Sequence, residues 1–270
     1  MFGLFKKDKS DNLPVSIEER DRIEAAFAWM VGQYGEESLK NRKVLTPYVT
    51  DFPIKYNGSE ASARATLNIV AKQMEINPDD LHLDIYSEGV REIQNSPLSG
   101  GRMFIKQIDG EKYSAGKYWG KQDDGKYHIG LEDGKLKQPE AMVATLAHEL
   151  AHVKLLGENR IQTNDESLTD FTTVVFGLGI FNANEAFWTK ASFDSWGWSK
   201  LGYLSQMQWG YSLAAFSAIR KEESPEWLKF LNVNIKKDFQ RSMTHIFSRE
   251  EEFFSKLRSP NNTDLERKDN

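Results

Sequence analysis

The stretch PEAMVATLAHELAHVKLLG at residues 139–157 limits what this chain can fold into more than any other. Pro139 suits the first turn of a helix, where its missing N–H would bond nothing, and Gly157 is well placed to end that helix. At about 100° per residue, Met142, Val143, Leu146, Leu150 and Val153 gather on one side. His148 and His152 lie about 40° apart and nearly opposite that stripe, and Glu149 sits about 100° from His148. The helix therefore needs a hydrophobic layer on one side, while its histidines face whatever covers the other.

Around this helix the chain reads as mixed helix and strand. SIEERDRIEAAFAWMVGQYG predicts a helix from Ser16 to Gly35, with a capping box of Ser16 and Glu19 and a buried stripe of Ile23, Phe27, Met30, Val31 and Tyr34. A second helix is expected over Ser59–Ile76, with Ala63, Leu67, Val70 and Met74 on one face and Asn77-Pro78 as its stop. LHLDIY (81–86) alternates as a strand does, with Leu81, Leu83 and Ile85 inward. The dipeptides Asp109-Gly110, Asp124-Gly125 and Asp133-Gly134 punctuate the extended segments MFIKQI, KYSAGKYW and KYHIGLE. A small, partly antiparallel sheet follows from that pattern. From Pro139 the chain reads as helical almost to its end.

The expected class is α+β. A flexible leader (1–15) precedes an N-terminal α+β lobe (16–157) that ends in the HELAH helix. A helical C-terminal lobe (158–258) and a polar, frayed tail (259–270) follow, and the site is expected in the cleft between lobes. Hydrophobic residues at 39% and aromatics at 12% exclude a disordered chain. A formal charge of -5 argues against nucleic acid as the main partner. The absence of cysteine excludes disulfides and thiolate metal sites and fits the cytoplasm. MFGLFKKDKSDN has only four apolar residues before its lysines, too few for a signal peptide or a spanning helix. With no long apolar run elsewhere, no stable membrane insertion is expected.

Histidines one turn apart can ligate a single tetrahedral zinc, and the glutamate between them can act as general base toward a metal-activated water. A third ligand has to come from elsewhere. After a loop of about eight residues, a new helix is expected from near Thr163, with Leu168, Phe171, Val174, Val175 and Leu178 apolar. Glu166 and Asp170 lie four apart on its other side. Two antiparallel helices joined by so short a loop would bring this acidic edge to the histidine edge. Glu166 also fits a capping box with Thr163, and Asp170 also fits a solvated helix residue. Asp170 and Glu158 are the other candidates for the third ligand.

HELAH followed by ESLTD resembles the zincin metallopeptidases, and within them the glutamate zincins, in which an H-E-x-x-H helix precedes an E-x-x-x-D helix. The resemblance implies one zinc per chain, held by His148, His152 and Glu166. It implies Glu149 as the base and Asp170 as the residue that orients His148. The activity implied is hydrolysis of peptide or protein substrates. Thirteen residues separate His152 from Glu166, fewer than in thermolysin. The metzincin pattern fails, because Leu155 and Glu158 stand where it needs glycine and histidine. TLAHELAH, LTDFTTVVFGLGIFNAN and GYLSQMQWGYSLA together resemble a group of bacterial cytosolic proteins, a likeness that implies no substrate.

The resemblance also makes residues 127–131 the candidate edge strand for an extended substrate. His128 and His82 alternate away from their apolar neighbours and read as solvent-facing, and His245 as an exposed or partly packed helix residue. Tyr203 and Tyr211 are candidate donors to the developing oxyanion. SWGWSK and QMQWGY read as core or lobe contacts rather than substrate platforms, and TTVVFGLGIFNAN as one tightly packed core helix. Glu149 and His152 spell one E-x-x-H, but a carboxylate di-iron bundle needs a second, and none exists. The competing function is a catalytically silent zinc-binding scaffold or sensing module, against which the presence of Glu149 speaks.

Overall fold

The computed structural model describes residues 13–87, 90–93, 103–106, 116–186, 188–192, 195–199 and 204–258. Most of the expected leader and all of the expected tail lie outside these residues, as does Asp109-Gly110. The fold is mixed α+β with a small three-stranded sheet. The chain forms two compact units, and these do not follow the linear division into lobes. One comprises Pro47–Asp165; the other joins the described parts of Met1–Thr46 and Glu166–Asn270.

In the unit spanning 47–165, α3 (Glu60–Gln73) is capped by Ser59, whose hydroxyl accepts from the Ser62 amide. Its apolar face, Ala63, Leu67 and Val70, is buried as the periodicity requires. Strand β1 (Leu81–Tyr86) pairs in parallel with β5 (Tyr127–Glu132), and β5 pairs antiparallel with β4 (Gly116–Lys121). Leu81, Leu83, Ile129 and Leu131 form the inner face of this sheet. Asp124-Gly125 does turn β4 into β5, with Gly125 at φ +78°. Asp133-Gly134 does not join two strands. Glu132 accepts from the Gly134 amide and starts a short 3-10 turn that delivers the chain to α4 (Pro139–His152). A hairpin of β2 (Val90–Ile93) and β3 (Met103–Lys106) completes this unit.

The other unit is built on helices. In α1 (Ile17–Tyr34) both bonds of the Ser16/Glu19 capping box are present. A short α2 (Glu36–Asn41) follows. α1 packs on α5 (Glu166–Val175), α7 (Gln206–Ile219) and α9 (Glu250–Arg258), while α7 lies along α8 (Val233–Phe247). That packing draws α1 out of the lobe to which sequence order assigns it. TTVVFGLGIFNAN is buried as expected but is not one helix: Gly177, at φ +76°, breaks it between α5 and α6 (Gly179–Glu185). A β6–β7 hairpin (Trp188–Ser192, Ser195–Ser199) interrupts the helical half where only helix was expected. Trp209 of QMQWGY is fully buried and belongs to the core, and His245 is buried on α8.

A charged cluster lies inside this unit. Glu24 of α1, 1% exposed, accepts from the Tyr211 hydroxyl at 2.6 Å, from Lys256 at 3.1 Å and from the Arg249 guanidinium. Among the described residues no helix is long and apolar enough to cross a membrane.

Candidate metal centre

α4 is buried nearly all round, because it packs on α3 and also against β4 and β5. Its polar residues are therefore enclosed with the apolar ones: Glu149 is 6% and His152 7% exposed, with His148 half-buried. The two imidazoles stand edge to face, 5.0 Å between centroids. Beyond His152 the helix widens into a π turn over Val153–Gly157. Two tyrosines of the sheet secure this exit. The Tyr127 hydroxyl donates to the Gly157 carbonyl at 3.0 Å, and the Tyr118 ring stacks on His152 at 5.8 Å and 19°. A β-carbon at 157 would lie 2.9 Å from the Tyr127 ring, so glycine permits this approach. Burial, with a smaller effect from Tyr127, pushes the Tyr118 hydroxyl up to about 12, leaving it a neutral phenol.

His148, His152 and Glu166 each offer one ligand atom, and these three atoms lie within 4.8 Å of one another. In a tetrahedral zinc site the ligand atoms stand about 3.3 Å apart; this set is a group that could hold a metal ion. α5 opens on Glu166 itself rather than near Thr163, which removes Glu166 from the capping-box position. Glu158 is committed elsewhere, ion-paired to Lys154 and, at 2.8 Å, to Arg160. Asp170 is outside the donor set and 1% exposed, so it is not a solvated helix residue.

No family model, curated protein or solved structure matches this chain. The chemistry open to the site follows from its own residues. Glu149 is held by an unusually close backbone: a β-carbon at Gly116 of β4 would lie 2.7 Å from a Glu149 carboxylate oxygen and 2.6 Å from the Thr145 methyl. Gly116→Ala is therefore expected to displace Glu149. It should cost about 1–3 kcal/mol of stability by overpacking and lower any activity that depends on Glu149 more than it lowers zinc affinity. Thermal unfolding, zinc titration and turnover of the same variant check this, and unaltered turnover would show that the carboxylate does not need its present place.

Several expected residues are placed differently. Residues 127–131 do not form an edge, because β5 lies between β1 and β4, which are the outer strands of this sheet among the described residues. Tyr211 is fully buried in the helical unit with its hydroxyl given to Glu24, so it cannot serve as an oxyanion donor. Tyr203 lies outside the described residues. Tyr118 and Gly116 escape a sequence reading altogether: both precede α4 by more than twenty positions, and only the sheet order brings them to it.

Proposed function

We propose that this chain is a zinc-dependent peptidase of the glutamate-zincin kind, with the metal held by His148, His152 and Glu166 and with Glu149 as general base. The observation that carries the reading is the meeting of those three donors within 4.8 Å, while Glu149, next in sequence to His148, is buried outside the donor set. Two imidazole nitrogens and a carboxylate oxygen suit a borderline divalent ion, and three protein donors leave one position for water or substrate. Zinc, when bound, supplies Lewis acidity toward the scissile carbonyl and acidifies water. Glu149 moves the proton. Its carboxylate takes one from the attacking water and delivers it to the leaving nitrogen, and the Gly116 backbone of β4 lies close against it. The substrates proposed are cytoplasmic peptides or proteins.

The test is cleavage. Zinc-loaded chain is incubated with a peptide library and new termini are identified by mass spectrometry. Hydrolysis that disappears in His148→Ala is expected; a fully zinc-loaded chain that cleaves nothing would make the site a binding scaffold. Asp170 is proposed to accept the free N–H of His148 and fix its tautomer. Asp170→Asn should then lower zinc affinity or turnover about 10- to 100-fold, and unchanged values of both would remove Asp170 from the site.

A further inference from the structure

The outer face of the three-stranded sheet carries a second group of metal-competent side chains, unrelated in position to the HELAH helix. The parallel register sets His82 of β1 directly beside His128 of β5. In a parallel pair, register partners point to the same face, and here both rings lie opposite Leu83 and Ile129 of the core. The imidazoles stack at 4.6 Å and 27°. One carboxylate serves both: Asp84 Oδ2 lies 3.0 Å from His128 Nδ1, and Asp84 Oδ1 lies 3.3 Å from His82 Nε2. The other nitrogen of His128, Nε2, lies 3.1 Å from Asp124 Oδ2, on the turn that joins β4 to β5.

These contacts pose a proton problem. With Asp84 accepting the Nδ1–H of a neutral His128, the remaining nitrogen of that ring, Nε2, carries a lone pair. His128 Nε2 then faces a carboxylate oxygen, acceptor against acceptor, and a cation is needed between them. A proton on His128 alone would supply that cation, as one imidazolium between two carboxylates. A divalent ion supplies it as well and also engages His82, and the donors are already gathered: ligand atoms of His82, Asp124 and His128 lie within 4.8 Å of one another.

We propose that His82, His128 and Asp124 form a second divalent-cation site, for zinc or an ion of similar borderline character, with Asp84 as the acceptor that orients His128. The donor set, two nitrogens and one oxygen, selects that class over calcium or magnesium, which require oxygen ligands. His82 and Asp124 are 42% and 46% exposed in their side chains, so water completes the shell and the ion exchanges freely. Binding ties β1, β5 and the β4–β5 turn together, away from the proposed catalytic glutamate.

Nitrogen-15 correlation spectra of the histidine rings test this on the full, metal-free chain, because its five histidines report separately. During titration with zinc alone, His82 and His128 are expected to show the shifts of metal-bound imidazole, whether or not His148 and His152 respond. Asp84→Asn should raise the zinc concentration needed for that response about 10- to 100-fold, while leaving the response of His148 and His152 unchanged. Ring nitrogens of His82 and His128 that stay unshifted in excess zinc, or that report imidazolium throughout at neutral pH, overturn the proposal. A response confined to His82 and His128 would instead contradict the HELAH site and leave this one standing.

Discussion

Glu149→Gln is expected to leave zinc bound at the HELAH site and to slow peptide hydrolysis by about 10²- to 10⁴-fold, the usual contribution of a positioned acid–base group. Glutamine has the size of glutamate and fits the same space against Gly116, where a β-carbon would already stand 2.7 Å from the carboxylate. Position 149 is not in the donor set, so the amide removes no ligand. What it removes is the ability to take a proton from water and return it to the leaving nitrogen. Turnover and zinc content measured on one preparation separate the outcomes. Full turnover in the variant places the base elsewhere, and simultaneous loss of zinc gives Glu149 a part in holding the metal.

The largest effect on stability is expected at a distance from this chemistry. Arg249→Ala should destabilise the chain by about 3–5 kcal/mol, the cost of removing one partner from a buried ion pair. Glu24 would stay enclosed, 1% exposed, with its strongest cation gone. Burial by itself would raise the Glu24 carboxyl. Bonds from Arg249 and Tyr211 and the charges of Arg249 and Lys256 outweigh burial and hold it below its ordinary 4.5. The sign of the pH dependence follows. A depressed carboxylate contributes stability that is present above its unfolded value and lost as pH falls through the folded one, so the wild type should lose this contribution only in acid. Chemical denaturation at neutral pH and in acid checks both points. A variant within about 0.5 kcal/mol of wild type, the range of ordinary surface changes, would mean that Lys256 and Tyr211 suffice for Glu24.

The residues that announce themselves in sequence are those whose roles depend on local spacing. The capping box at Ser16 and Glu19, the buried stripe of α3 and the turn of the HELAH helix need no knowledge of distant partners. His148 and His152 belong to this class, since one helical turn sets their separation. Glu166, reached through one loop, shares with the two histidines a group of side chains that could hold a metal, a group without Glu158 and Asp170. Residues whose roles depend on strand order are not legible in this way. His82 and His128 each read as an outward-facing residue, which they are, but nothing in either strand says that β1 and β5 are neighbours in register. The resemblance made β5 an edge strand, which the order β1-β5-β4 corrects, and the same unread order hid Tyr118 and Gly116. Tyr211 misled for a related reason: its helix was legible, whereas its partner Glu24 lies in α1, far away in sequence.

Anomalous diffraction at the zinc edge, from crystals of the zinc-supplemented chain, tests the central claim most directly. The account predicts a peak about 2.0–2.2 Å from one nitrogen each of His148 and His152 and from a carboxylate oxygen of Glu166, with Glu149 outside bonding distance. Well-ordered density for these three side chains with no anomalous peak among them, in saturating zinc, would contradict it.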